Sequence, residues 1–88
     1  MAENNTLEVL KALSDGTRLE IVRLLLDGER CVCQIFPHVK RTQSTVSIQL
    51  ATLEKAGLIE SRRDGKKIIY KIKNSKVKEI LKAAGFEA

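Results

Sequence analysis

Aromatic side chains are scarce in this chain: its 88 residues include two Phe, one Tyr and no Trp. Leu, Ile and Val must therefore build the core. Histidine occurs once, at His38, and no nucleophile–base constellation or phosphate loop accompanies it, which excludes the common enzyme classes. Two cysteines, Cys31 and Cys33, stand one residue apart. Such a spacing makes a poor structural disulfide, and the pair is better considered as two thiolates or as small apolar side chains. No apolar run approaches the ~20 residues that a membrane-spanning helix needs. The first five residues, Met1 to Asn5, are polar and slightly acidic, unlike a signal peptide. The expected location is the cytoplasm, where thiols stay reduced, with no membrane partner.

What the chain does have is positive charge. Its formal net charge is +5 and its pI about 9.5, which favours an anionic partner such as nucleic acid. A hydrophobic content of 43% suits a globular domain, and 88 residues leave no room for a second core. The expected organisation is one domain over residues 1–88, without repeats, low-complexity tracts or linkers. A chain of this size buries a modest share of its surface, so a core shared in a dimer would add stability.

The stretch from Thr42 to Gly57 organises the rest. Thr42 is suited to cap a helix N-terminus, and Gly57 to end one in the left-handed conformation. Val46, Leu50 and Leu53 recur at helical spacing on one stripe. At about 100° per residue, the opposite direction holds Ser44, Ile48, Ala51 and Lys55, flanked by Thr45, Ser47 and Thr52. That face carries short hydroxyls, one bare isoleucine and no acid. It suits base edges in a major groove, where small polar groups and methyl contacts to thymine are needed.

Before it, Leu7, Leu10 and Leu13 share one side of a short helix starting near Thr6. Ser14-Asp15-Gly16 breaks it. The next helix, Thr17 to about Leu26, places Leu19, Val22 and Leu26 on one face, with Ile21, Leu24 and Leu25 beside them. A short helix over Val32–Val39 is expected to turn Ile35, Phe36 and Val39 inward, limited to a turn or two by Pro37. Lys40 and Arg41 then form a short turn into the Thr42 helix, the pattern of a helix-turn-helix. After Gly57 the period changes to two. Leu58 to Arg62 and Lys67 to Ile72 flank Arg63-Asp64-Gly65-Lys66, and Asp-Gly between alternating runs signals a hairpin. Ile68, Tyr70 and Ile72 share the face expected to lie on the helices. Six Lys or Arg stand against one Asp between Arg62 and Lys73, so the hairpin tip is a basic wing. The bland alternative is a solvated hairpin whose charges discourage edge pairing. A last helix, Lys76 to Ala84, capped by Asn74 or Ser75, carries Val77, Ile80, Leu81 and Ala84 on one stripe and stops at Gly85.

The expected fold is mainly α with a small β-hairpin, a winged helix-turn-helix homodimer. Leu7 and Leu10 from the first helix and Val77, Ile80, Leu81 and Ala84 from the last are the expected dimerisation residues, pairing across a two-fold axis. The expected partner is double-stranded operator DNA. Gln43, Ser44, Thr45, Ser47, Ile48 and Gln49 are the expected base-proximal set, with Thr42 beside them at the helix start, and Arg41, Arg62, Arg63, Lys66 and Lys67 the expected phosphate contacts. A rival of another class is a winged-helix protein-interaction module whose basic patch is incidental.

Four segments in order resemble the ArsR/SmtB family of winged-helix metalloid- and metal-responsive repressors over roughly residues 9 to 73. They are Lys11-Ala12-Leu13-Ser14-Asp15-Gly16-Thr17-Arg18, Cys31-Val32-Cys33, Gln43-Ser44-Thr45-Val46-Ser47 and Leu53-Glu54-Lys55-Ala56-Gly57-Leu58-Ile59. The chain departs from the family's usual pattern with Gly16 for Pro, Ile48-Gln49 for one or two His, and Lys40-Arg41 for Gly-Leu. The resemblance implies a repressor released from DNA by an inducer. Some arsenic-responsive members have Cys-Val-Cys at this place with a third Cys three residues on, where this chain has Phe36. The carboxylate and histidine set of zinc-responsive members is absent, since residues 75 to 88 contain neither Asp nor His.

A thiolate pair at Cys31 and Cys33 suits soft ions such as As(III), Cd(II) or Cu(I) as inducer, while no cofactor is required for folding. Residues two apart point about 200° away from each other on an α-helix and to opposite sides of a strand, so a local turn or the second subunit must help. Two readings stay open beside metal sensing: a thiol redox switch, and simple packing. Arg30 beside the pair would lower a thiol pKa, favouring chemistry.

Overall fold

Capping side chains and the switch in hydrophobic period divide the chain into five helices and three strands over residues 2–85, the part that the computed structural model describes, with side chains described from Leu7. In order they are α1 (Ala2–Ala12), α2 (Gly16–Leu26), β1 (Arg30–Cys31), α3 (Val32–Val39), α4 (Gln43–Lys55), β2 (Ile59–Asp64), β3 (Lys67–Ile72) and α5 (Lys76–Ala83).

The caps lie where their chemistry puts them. Asp15 accepts a bond from the Arg18 amide at 3.0 Å and starts α2. The Thr42 hydroxyl accepts from the Thr45 amide at 3.1 Å and starts α4. Gly57 ends α4 at φ 83, donating from its amide to the Glu54 carbonyl, while the Leu58 amide donates to the Leu53 carbonyl. This bond pair defines a Schellman stop, and Leu53 and Leu58 are both buried beside it. At α5 it is Asn74 that caps, its side chain accepting from the Lys76 amide at 3.0 Å.

Inward faces differ from the periodicity in three places. In α1 the buried residues are Val9 and Ala12, followed by Leu13, while Leu7 and Leu10 are exposed. The leucine spacing and the Val9–Leu13 spacing both fit a helix, and only packing selects between them. In α2 the fully buried set is Ile21, Val22 and Leu25, with Leu19, Leu24 and Leu26 half-buried around it. In α3, Ile35 and Val39 are buried but Phe36 is exposed, contrary to expectation. Pro37 lies inside α3 and cannot donate to the carbonyl four residues back; the helix ends at Val39, two residues later.

The wing is longer than its sequence pattern suggests. Arg63 and Asp64 continue β2, Asp64 pairs with Lys67, and the loop is only Gly65 and Lys66, with Gly65 at φ 66. Tyr70 and Ile72 lean on the core, as expected. The sheet has a third strand that periodicity could not reveal, because two residues show no alternation. This is β1, which pairs antiparallel with β3 through Arg30↔Tyr70 and Cys31↔Ile69, giving the order β1-β3-β2.

The last helix corrects a further expectation. Val77 and Leu81 are buried within the protomer's own core, Ile80 packs at its edge, and Ala84 is an exposed C-cap. One stripe of α5 is thus used inside the protomer, and of the leucines expected at the dimer seam Leu7 and Leu10 are exposed while Leu81 is buried.

Candidate DNA-reading surface and thiol pair

Helices α3 and α4 are joined by Lys40, Arg41 and Thr42, and Lys40 adopts φ 56, ψ 44 to make the turn. Burying Val46, Leu50 and Leu53 fixes the rotation of α4 about its axis. Gln43, Ser44, Ser47 and Ile48 then line one shallow surface patch, and Ile48 is 61% exposed. Arg41 is exposed at the entrance to α4. Short polar groups around a protruding methyl-rich side chain, with no carboxylate among them, match base edges and a thymine methyl.

Three of the expected DNA-binding residues are committed elsewhere. The Thr42 hydroxyl donates to the Thr45 hydroxyl at 2.9 Å while accepting from the Thr45 amide, so both hydroxyls serve the cap. Gln49 is half-buried and turned toward α2, its side-chain oxygen accepting from the Arg18 guanidinium at 2.6 Å.

Arg63, Lys66 and Lys67 stand exposed around the wing tip. Arg62 does not simply face solvent. Its two terminal nitrogens donate to the two oxygens of Glu29 at 2.8 Å each, spanning β3 to reach the segment ahead of β1. The hydrogen bond from Arg62 holds the Glu29 carboxyl below its ordinary pKa, and the same bond raises that of Arg62. Nothing in the sequence marks Glu29, since the contact joins residues 33 positions apart and exists only in this strand register.

Cys31 and Cys33 are joined by a disulfide, with Cα atoms 5.2 Å apart. This corrects the expectation that such a pair is poorly placed to bond. Cys31 ends β1 in an extended conformation, φ −79 and ψ 159, whereas Cys33 is already in the first turn of α3. The opposed directions that a pure helix or pure strand would impose do not arise at a strand-to-helix junction. Cys31 is buried and Cys33 exposed. The Cys31 amide donates to the Gln34 side chain at 3.0 Å, steadying the junction. Arg30 is turned to Asp27, 3.1 Å away, which offsets its charge near the thiols. His38 lines an open cavity of about 440 Å³ with Glu20, Arg23, Leu24, Asp27 and Val39, on the α2 side of α3. As donors two cysteine sulfurs are chemically suited to a soft ion. Among the described residues no three His, Cys, Asp or Glu side chains gather as a metal-binding group.

A family model described as "Bacterial regulatory protein, arsR family" matches residues 15–61, which spans the helix-turn-helix and the start of the wing. The chain belongs to the arsR family. It is 43% identical over 76 residues to an uncharacterised HTH-type transcriptional regulator, MJ1325, of Methanocaldococcus jannaschii, with 85% of each chain covered. An arsenical resistance operon repressor of Staphylococcus aureus is 37% identical over 73 residues, 83% of this chain and 70% of that protein. Among solved structures, the homodimeric winged helix-turn-helix DNA-binding domain Mb0332 from Mycobacterium bovis superposes with a TM-score of 0.85 at 33% identity, covering 96% of this chain and 78% of that one. The family resemblance in the four segments is borne out, as is the winged helix-turn-helix fold. This arsR-family member is a transcriptional regulator and not an enzyme. Among the described residues no helix is long and apolar enough to cross a membrane.

Proposed function

We propose that this arsR-family regulator is a cytoplasmic, homodimeric repressor that binds operator DNA and is released by a thiophilic metal or metalloid at Cys31 and Cys33. The α4 surface carries the DNA half of this reading: Gln43, Ser44, Ser47 and Ile48 are exposed together while Val46, Leu50 and Leu53 are buried behind them. Arg41, Arg63, Lys66 and Lys67 supply phosphate contacts that give affinity without sequence. Exposed Leu7 and Leu10 support pairing through α1, as does the homodimeric state named for the Mycobacterium bovis domain. Arsenical and cadmium resistance regulators among the relatives support a soft-ion inducer. Arsenic(III) favours three thiolates, and each protomer has two, so the other subunit or a small external thiol completes the site.

The bonded state of Cys31 and Cys33 favours a second reading, release by oxidation. Both thiols then lose a proton and one electron each, and a hydroperoxide takes up the two electrons and is reduced to water and an alcohol. In either case the chemistry acts at the first turn of α3, the helix that three linker residues join to α4.

The test is titration of a reduced protein–operator complex with As(III), Cd(II) and hydrogen peroxide, for the parent, Cys31→Ser and Cys33→Ser proteins. Release by As(III) or Cd(II) that each substitution removes supports metal sensing. Release by peroxide alone selects the redox reading. No release by any of them, with both variants matching the parent, assigns the cysteines to packing.

A further inference from the structure

Arg18 touches three elements at once. Its Nε donates to the Ala12 carbonyl at 2.7 Å and its Nη2 reaches the Lys11 carbonyl at 3.5 Å, both at the C-terminal end of α1. Its Nη1 donates to the Gln49 side-chain oxygen, at 2.6 Å, in the middle of α4. Its own amide donates to Asp15, the cap that begins α2. We infer that Arg18 is a positioning residue for DNA recognition: it locks the rotation of α4 to α1, and through α1 to the dimer seam.

The physical case rests on what else holds α4. Its buried stripe, Val46, Leu50 and Leu53, supplies non-directional packing that tolerates small rotations about the helix axis. At about 100° per residue, Gln49 lies about 60° from that stripe, where a directed bond resists such rotation best. A guanidinium is planar with its donors in a fixed fork, so bonds to Ala12 and to Gln49 constrain each other's direction. The contact is half-buried, and bonds to a charged donor are stronger than neutral ones. Gln49 therefore acts on DNA through the orientation of α4, with Ser44, Ser47 and Ile48 as the groups whose placement it sets.

In a two-fold dimer the consequence doubles. Both recognition helices must meet half-sites about one helical turn apart, roughly 34 Å, so a rotation of each α4 relative to α1 misplaces both at once. Phosphate contacts, made by long flexible side chains, tolerate the same displacement.

This inference rests on the DNA-binding, dimeric reading above, and its test separates the two. An operator is selected by the parent protein from a pool of random duplexes, and affinities for it and for an unrelated duplex are measured as a function of salt. The proteins are the parent, Arg18→Lys, Arg18→Met, Gln49→Leu and the Arg18→Met/Gln49→Leu pair. The expected result is a fall of roughly tenfold in the ratio of operator to unrelated affinity for each single variant. The double variant should lose no more than Arg18→Met alone, since that substitution already removes the bond to Gln49. Arg18→Lys should not rescue, because an ammonium cannot hold both carbonyl partners in the fork geometry. Affinity for the unrelated duplex and the salt slope should stay at parent values, which a merely unfolded or loosened domain would not give. If Arg18→Met does not fold, Arg18→Lys and Gln49→Leu carry the comparison. Variants that retain the parent's specificity ratio, or a double variant whose loss is the product of the singles, overturn the positioning role while leaving the DNA-binding reading intact. A parent that selects no operator overturns both.

Discussion

Arg62 of β2 and Glu29, ahead of β1, form a two-pronged ion pair across the outer face of the sheet, each nitrogen–oxygen distance 2.8 Å. Cys31, Ile69 and Arg62 stand in one row of that sheet through the pairings Cys31↔Ile69 and Arg62↔Ile69. The wing is therefore tied to the segment that holds the thiol pair, and an arginine suited to a phosphate is held by a carboxylate of its own chain.

Glu29→Gln should release Arg62 to the DNA backbone. Affinity for any duplex should rise several-fold at low salt, and log affinity against log salt should steepen by ~0.9, the contribution of one more phosphate contact. An unchanged slope would mean that Arg62 stays off the backbone. The same pair gives an acid signature. The Glu29 pKa is held below its ordinary 4.5 in the folded protein, so the unfolded chain binds the proton first. The pair's contribution is full above that ordinary value and is lost as pH falls through the lowered one. Acid unfolding curves of the parent and Glu29→Gln proteins should diverge above this window and converge below it.

Ile48→Asp should abolish operator preference and leave fold and oligomeric state intact. Ile48 is 61% exposed, so the change removes a methyl contact from the reading surface and sets a charge against phosphate. The expected loss is at least ~10-fold, in line with one good base contact. A drop in melting temperature or loss of the dimer would instead place Ile48 in an interface.

Lys40→Gly should stabilise the domain. Lys40 holds φ 56, a conformation that costs a residue with a Cβ roughly 1–2 kcal/mol and glycine nothing. After the extra chain entropy of glycine, the net gain should be about 0.5–1 kcal/mol in urea unfolding. Loss of the charge should weaken DNA binding slightly and equally for all sequences. A destabilised variant would show that contacts of the Lys40 side chain outweigh the backbone cost.

Tyr70 sets an alkaline limit. Partial burial, reinforced by the negative charge of Glu54, raises its phenol above the ordinary value of 10.0. The unfolded chain loses this proton before the folded protein does, so stability is full below that value and declines as pH rises through the raised one. Tyr70→Phe should flatten the decline in chemical denaturation at high pH. An equal decline in both proteins would trace it to other groups.

The sequence by itself determined the elements whose signals are local. Thr42 and Gly57 delimit α4 by caps that depend on residues within one turn, and Gly65, at φ 66, turns the hairpin by backbone chemistry alone. Burial of Val46, Leu50 and Leu53 was legible because three well-spaced apolar residues allow one inward face, and this set Ser44, Ser47 and Ile48 on the outward face proposed to read DNA. Tertiary structure decided wherever local patterns tie or are silent. In α1 two stripes compete, and contact with the core buries Val9 and Ala12 and leaves Leu7 and Leu10 outside. In α5, Val77 and Leu81 fill the protomer's own core because the sheet and the other helices leave that space, which no helical period reports. The two-residue β1 exists only through its pairing with β3, and that strand-to-helix junction brings Cys31 and Cys33 together. Arg18–Gln49 and Glu29–Arg62 join residues 31 and 33 positions apart. A side chain's partner at such range is set by how whole elements pack, so these ties appear only once the fold is assembled.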